Sequence, residues 1–304
     1  IYSNYEMAQE STRGKSELSQ PTESEKQSSG LDKDYAFAWS YGKIETLSLL
    51  VPDIHGGSSA GMLPPDSHLY NALRSNAPQA QLDANGIQAQ TYWGDQPLTF
   101  GPVYFGAIII LLFVLGMVLI KSPAKWMLLI ATIFFIFLSW GRNLEFFNDW
   151  FFYHFPLYNK FRAVSSALVI PATTMLILAV WGLKEFLYGE ENKQKKLTSL
   201  YISVGITGGI CILLWIAPSL FGLSFTSPND SQWISQVPDW YYSALVADRK
   251  DMLSSDALRS LVFILLAGGI LWGANRIKGN KERIALYSSI LLVILVTIDL
   301  WNID

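Results

Sequence analysis

Gly101-Pro102-Val103-Tyr104-Phe105-Gly106-Ala107-Ile108-Ile109-Ile110-Leu111-Leu112-Phe113-Val114-Leu115-Gly116-Met117-Val118-Leu119-Ile120 has no charged side chain in twenty positions, and the basic link Lys121-Ser122-Pro123-Ala124-Lys125 follows at once. A hydrocarbon core about 30 Å thick takes about 20 such residues as a helix, with a working range of about 17–25. Five further charge-free runs lie downstream, at 126–141, 163–183, 197–228, 260–275 and 284–298. The shorter ones are extended at their ends by groups suited to the headgroup layer, such as Trp126, Trp140 and Trp301. Six such runs in one chain are too many for buried helices of a soluble core. The sequence therefore predicts an all-α, polytopic helical membrane protein with about six transmembrane helices, interfacial helices and extracytoplasmic loops. The spans fall near 101–121, 125–141, 163–184, 199–223, 259–276 and 283–301. Pro218 in the fourth run marks where that chain leaves the bilayer.

Composition agrees and excludes other classes. Of 304 residues, 51% are hydrophobic and 15% charged, against about 25% charged in an ordinary soluble chain. A net charge of −3 gives no electrostatic case for nucleic acid. The lone Cys211 and three scattered histidines, His55, His68 and His154, give neither a disulfide framework nor a histidine or cysteine metal cage. No ionisable residue falls in the middle of a span, which argues against a proton-coupled transporter, a voltage sensor or an ion channel. Asp299 reads as an interfacial residue near the outer end of the last span. Gly208-Gly209 and Gly268-Gly269 read as sites of close helix packing.

The short links 121–125, 184–196 and 276–283 hold ten Lys and Arg in 26 positions, whereas 1–100, 141–162 and 229–259 hold twelve in 153. The positive-inside rule weighs short loops most, so these links face the cytoplasm. Residues 1–100, the segment 141–162 and the loop 224–258 then face outward from the cell membrane. The chain begins at Ile1 without a signal peptide, so an upstream transmembrane segment is expected to deliver the outward region. Residues 1–100 read as a loop region, polar and mobile over 8–34, with an amphipathic helix over 35–51 that Pro52 terminates.

Candidate site residues come from the outward segments. Val51-Pro52-Asp53-Ile54-His55-Gly56-Gly57-Ser58-Ser59 is an irregular stretch whose glycines allow close backbone approach to a ligand. Asp53 with His55 suits a base, a metal ligand or a substrate hook, or else an Asp bonded to its own turn beside a solvated His. Asp95, in Tyr92-Trp93-Gly94-Asp95-Gln96-Pro97, is read in the same two ways. In 141–162, nine of 22 residues are aromatic, as in a helix lying in the interface plane. Arg142, Lys160 and Arg162 could meet a lipid phosphate there, or snorkel to the headgroups.

Several of these stretches resemble the YfhO family of bacterial membrane proteins. They are Ser11-Thr12-Arg13-Gly14-Lys15-Ser16-Glu17-Leu18, Trp39-Ser40-Tyr41-Gly42-Lys43-Ile44-Glu45-Thr46 and Leu50-Val51-Pro52 with Gly56-Gly57. Tyr92 to Pro97 and Phe155-Pro156 running to Phe161-Arg162 complete the set. That family is similar to the GT-C superfamily of membrane glycosyltransferases. The resemblance implies transfer of a sugar from a polyprenyl-phosphate donor to an extracytoplasmic glycan acceptor. Asp53 and Asp95 would then be catalytic, with His55, Arg142, Lys160 and Arg162 binding substrate. Cationic groups or a divalent metal would stabilise the departing phosphate. In the superfamily a key carboxylate lies in the first outward loop, which is expected upstream of Ile1. The chain departs from the family in having Ala163-Val164-Ser165-Ser166 where a further Arg and Pro are usual. The other functional expectations are a non-catalytic membrane scaffold and a transporter of lipid-linked sugars in surface polymer assembly.

Overall fold

The computed structural model describes residues 31–160, 164–301 and 303. It is an all-α membrane protein. Among the described residues the helices α1 (Lys33–Ala36), α2 (His68–Asn76), α3 (Ala107–Leu119), α4 (Ala124–Ser139) and α5 (Glu145–His154) precede α6 (Val169–Tyr188), α7 (Lys193–Ile216), α8 (Asp239–Arg276) and α9 (Lys281–Trp301). One small hairpin pairs β1 (Gly61–Leu63) with β2 (Ile87–Ala89) antiparallel, with Met62 opposite Gln88. Four helical segments are long and apolar enough to cross a membrane: 164–188, 193–216, 239–276 and 281–301. A fifth arises if α4 and the bent helical segment 141–154, which meet at 115°, count as one span.

The run 101–120 forms a shorter helix than its length suggests. Its 13 residues rise only about 20 Å, against a core of about 30 Å. Pro102 and the irregular backbone before Ala107 are held by other groups: Ser48 Oγ donates to Val103 O at 2.8 Å, and Phe105 N–H to Leu49 O at 3.2 Å. Non-helical backbone at membrane depth is tolerated where protein surrounds it. Ala107, Ile108, Leu111 and Leu115 are completely buried, so α3 is a core element.

The chain clusters into two compact units. One comprises the described residues of 1–43, 95–97 and 130–171. Here α4 turns into α5 at Gly141, whose φ is +44°, and a Cβ there would lie 2.1 Å from Ser40 Oγ. That hydroxyl accepts from Arg142 N–H at 2.9 Å, so the elbow is tied down as well as sterically selected. Asn148, fully buried, donates to Phe137 O at 2.9 Å, satisfying a carbonyl that the ending helix leaves open. Phe134 meets Phe147 and Phe151 edge-on at 5.7 and 5.4 Å and fills the angle.

The second unit holds 44–94, 98–129 and 172 onward. Its core joins α3, α7, α8 and the loop around Ile54. The α3 and α6 backbones touch: a Cβ on Gly116 would lie 2.4 Å from Leu178 O, and one on Gly182 would lie 2.5 Å from Gly116 Cα. Of the glycine pairs read as packing sites, Gly208 and Gly268 face Leu261 and Val204, while Gly209 and Gly269 face open space. Helix α7 runs Lys193–Ile216 and stops ahead of Pro218, shifted toward the N-terminus from the span expected over 199–223.

Two expectations change. The apolar spacing over 35–51 is realised as α1 and a separate 3-10 turn, Ile44–Leu49, instead of one amphipathic helix. Residues 239–258, expected in a loop, belong to α8, whose 38 residues span about 57 Å. The helix passes through the polar region because one stripe stays buried. Leu245, Arg249, Leu253, Ala257, Ser260, Ile264, Ala267, Leu271 and Asn275 follow at steps of three or four. Its N-terminal half packs with Leu63, Leu69 and Ala89, fixing the hairpin and α2 on the long helices.

Candidate functional site

The site is built where the glycine turn at 53–58 meets α8. Gly56 and Gly57 adopt φ of +79° and +66°. A Cβ on Gly56 would lie 2.1 Å from Thr91 O, and one on Gly57 would lie 2.4 Å from Asp53 Oδ1. The turn therefore folds back over the Asp53 carboxylate. The 91–93 segment holds it from the other side, with Trp93 N–H donating to His55 O and Tyr92 N–H to Ser58 O, both at 2.9 Å.

Arg249 fixes that segment on α8. Fully buried, it donates to Asp230 Oδ2 at 2.7 Å and Oδ1 at 3.0 Å, to Gln90 O at 2.9 Å, and to Thr91 O and Phe225 O at 3.1 Å each. A planar fork meeting a carboxylate and three carbonyls leaves no unsatisfied charge. Burial acts to raise the Asp230 carboxyl, but the Arg249 guanidinium and the Ser227 N–H outweigh it and hold it below its ordinary value.

Two turns along α8 from Arg249 a second ionic group begins. Asp53 N–H donates to Asp256 Oδ2 at 2.9 Å. Arg259 Nη2 lies 3.1 Å from Asp299 Oδ1 and also donates to the Asp299 carbonyl. Tyr104 O–H donates to Asp299 Oδ1 at 2.8 Å, and Ala107 N–H, at the start of α3, to Oδ2 at 3.0 Å. Asp299 is fully buried, so its interfacial reading is corrected: it is a cap and counter-ion inside the protein. Arg259 Nη1 has no hydrogen-bond partner among the described residues. Three carboxylates thus share one guanidinium. Burial first, and then the neighbouring charge of Asp256, raises the Asp53 carboxyl to about 7.

Asp53 and Asp256 also line a cleft of about 410 Å³ with Asp66, Asp248, Asp251, His68 and Ser255. Two of its carboxylates are engaged. Asp248 caps α2 through His68 N–H at 2.7 Å and Leu69 N–H at 2.9 Å, and Asp251 Oδ2 lies 2.9 Å from His68 Nε2. Among the described residues no three His, Cys, Asp or Glu side chains are disposed to hold a metal ion.

The residues singled out from sequence separate. His55 forms no dyad with Asp53: its ring packs on Trp93 at a centroid distance of 4.4 Å and its Nδ1 has no hydrogen-bond partner among the described residues. Burial lowers its pKa to about 4, so it is neutral at pH 7 and offers no charge to a substrate. In the other unit, Arg142 Nη2 donates to Asp95 O at 2.6 Å, and Asn143 Nδ2 to Asp95 Oδ2 at 3.1 Å. Asp95 and Arg142 thus serve each other's local structure. Lys160 ends a 3-10 turn, and burial lowers its ammonium below the ordinary lysine value. Arg162 lies outside the described residues. Sequence reading missed Asp256, Arg259 and Arg249. For Arg249 the signal is the buried stripe at steps of three or four that continues through a charged stretch; Asp256 and Arg259 flank that stripe. No protein-family model, curated protein or solved structure matches the chain.

Proposed function

We propose that the chain transfers a sugar from a polyprenyl-phosphate donor to a hydroxyl-bearing glycan acceptor at the outer face of a bacterial inner membrane. One observation carries this reading: a half-buried carboxylate, Asp53, with its pKa raised to about 7, stands at the edge of a polar cleft. A general base works best with a pKa near the operating pH. Asp53 takes the proton of the acceptor hydroxyl as that oxygen bonds to the anomeric carbon. The bond from that carbon to the phosphate oxygen breaks, and polyprenyl phosphate leaves with the electron pair. Arg259 does not line the cleft, but its guanidinium acts on Asp53 from behind and adds positive charge beside the reaction. Asp66, Asp251 and Ser255 offer hydrogen bonds to sugar hydroxyls. The resemblance to the YfhO family and the GT-C superfamily supports the same reaction class, and the charge asymmetry of the connections supports the outward orientation.

The test is label transfer from polyprenyl-phosphate sugars in proteoliposomes containing the full-length protein. Asp53→Asn is expected to lower the rate by about 100-fold or more, with donor binding kept. Transfer at the parent rate in Asp53→Asn and Asp256→Asn alike would remove the site from the reaction. Donor binding without any transfer by the parent protein would favour the non-catalytic scaffold.

A further inference from the structure

The opposite end of the second unit carries a separate cavity of about 520 Å³, between the α6–α7 and α8–α9 connections. Four lysines line it: Lys193, Lys196, Lys278 and Lys281. Lys196 is buried at 6% exposure and donates to Gly189 O at 2.9 Å, while Lys281 Nζ lies 3.3 Å from Tyr188 O. Each ammonium has three donors, so both retain donors for a ligand. Lys193 and Lys281 also begin α7 and α9, whose N-terminal dipole ends add positive potential.

The acidic residues of the lining do not cancel this charge. Glu191 is held by Lys121 and Lys195, which are outside the cavity lining. Glu190 is the other carboxylate, so four ammonium groups face one carboxylate not engaged in those pairs. A second, independent feature points to a ligand. Asn275, 8% exposed, lines the cavity and donates through Nδ2 to Lys193 O at 3.2 Å, yet its Oδ1 has no partner among the described residues. A buried acceptor without a donor costs about 1–3 kcal/mol, which a ligand O–H or N–H would recover. Phe186, Leu187 and Ile284 make part of the wall apolar.

We propose that this cavity binds the headgroup of an anionic glycerophospholipid, with its phosphate on Lys193, Lys196 and Lys281 and a headgroup hydroxyl donating to Asn275 Oδ1. Basic pockets between membrane helices suit such headgroups, and the volume lies within the usual range for a small-ligand site, about 300–1,000 Å³.

Native mass spectrometry of the delipidated full chain tests this with four probes: phosphatidylglycerol, phosphatidylcholine, phosphatidic acid and inorganic phosphate. Phosphatidylglycerol should bind at least tenfold more tightly than phosphatidylcholine. Lys278→Gln with Lys281→Gln, both exposed positions, should reduce that affinity about tenfold without changing thermal stability. Asn275→Leu should reduce binding of phosphatidylglycerol but spare phosphatidic acid, which lacks the headgroup hydroxyl. Displacement of the lipid by millimolar inorganic phosphate would overturn the lipid assignment in favour of a soluble phosphate compound. Equal affinity for both lipids, or no change in the lysine variant, would overturn the site itself.

Discussion

Arg249 and Asp53 show how one kind of neighbour produces opposite outcomes. Arg249 meets its carboxylate squarely, with every remaining direction taken by a carbonyl. Removing one member of such a pair leaves a buried charge and costs about 3–5 kcal/mol. Arg249→Met should therefore abolish folded protein in size-exclusion profiles, and Arg249→Met with Asp230→Leu should restore part of it. Asp53 has instead a second carboxylate close by and only a shared guanidinium. A carboxyl raised from its ordinary value near 4 to about 7 binds its proton more tightly in the folded state. Its contribution to stability is full below about pH 4 and is lost as the pH climbs through about 7. His55, lowered by burial to about 4, contributes above the ordinary histidine value and loses that contribution as the pH falls. Asp53→Asn should remove the first slope and keep the second. Across this window its thermal midpoint should gain on the parent as pH rises, measured by heat unfolding in a single detergent. Parallel curves would show that Asp53 does not titrate there.

At the level of elements, helix content and most span positions were legible because an uncharged apolar run of sufficient length has few other fates. Helix ends were less legible. Nothing in 101–120 says that its first six residues remain non-helical, since that depends on Ser48, Leu49 and Asp299 arriving from distant positions. The N-terminal half of α8 was hidden for a different reason. Charged side chains there read as loop, although Arg249 occupies a buried position and Asp256 faces the cleft. Asp53 was visible through its glycine turn, but its true partner lies 203 positions away. The α3–α6 contact gives a direct test. Gly182→Leu would push a side chain into Gly116, and overpacking of this kind costs about 1–3 kcal/mol or more. A lowered thermal midpoint is expected, whereas the same change at Gly209, which faces open space, should have little effect.

For the whole molecule, the proposed orientation can be read chemically because Cys211 is fully buried and gives little labelling background. Met62 on the hairpin is 56% exposed, and Gln194 at the start of α7 is also exposed. With an impermeant maleimide on spheroplasts, Met62→Cys should label and Gln194→Cys should label only after lysis. The reverse pattern would place the aspartate cleft in the cytoplasm and end the proposal of an outward glycan acceptor. The unbroken course of α8 has a further consequence. Asp256 and Asn275 are nineteen residues apart on one continuous rod, about 28 Å along its axis. That is close to the oily thickness of a typical bilayer, so under the proposed orientation the aspartate cleft and the lysine cavity would lie at its two edges. Lengthening the acyl chains of the surrounding lipids should draw the aspartates toward the oil and slow entry of a water-soluble acceptor, an effect of thickness that no change in the site's chemistry would mimic.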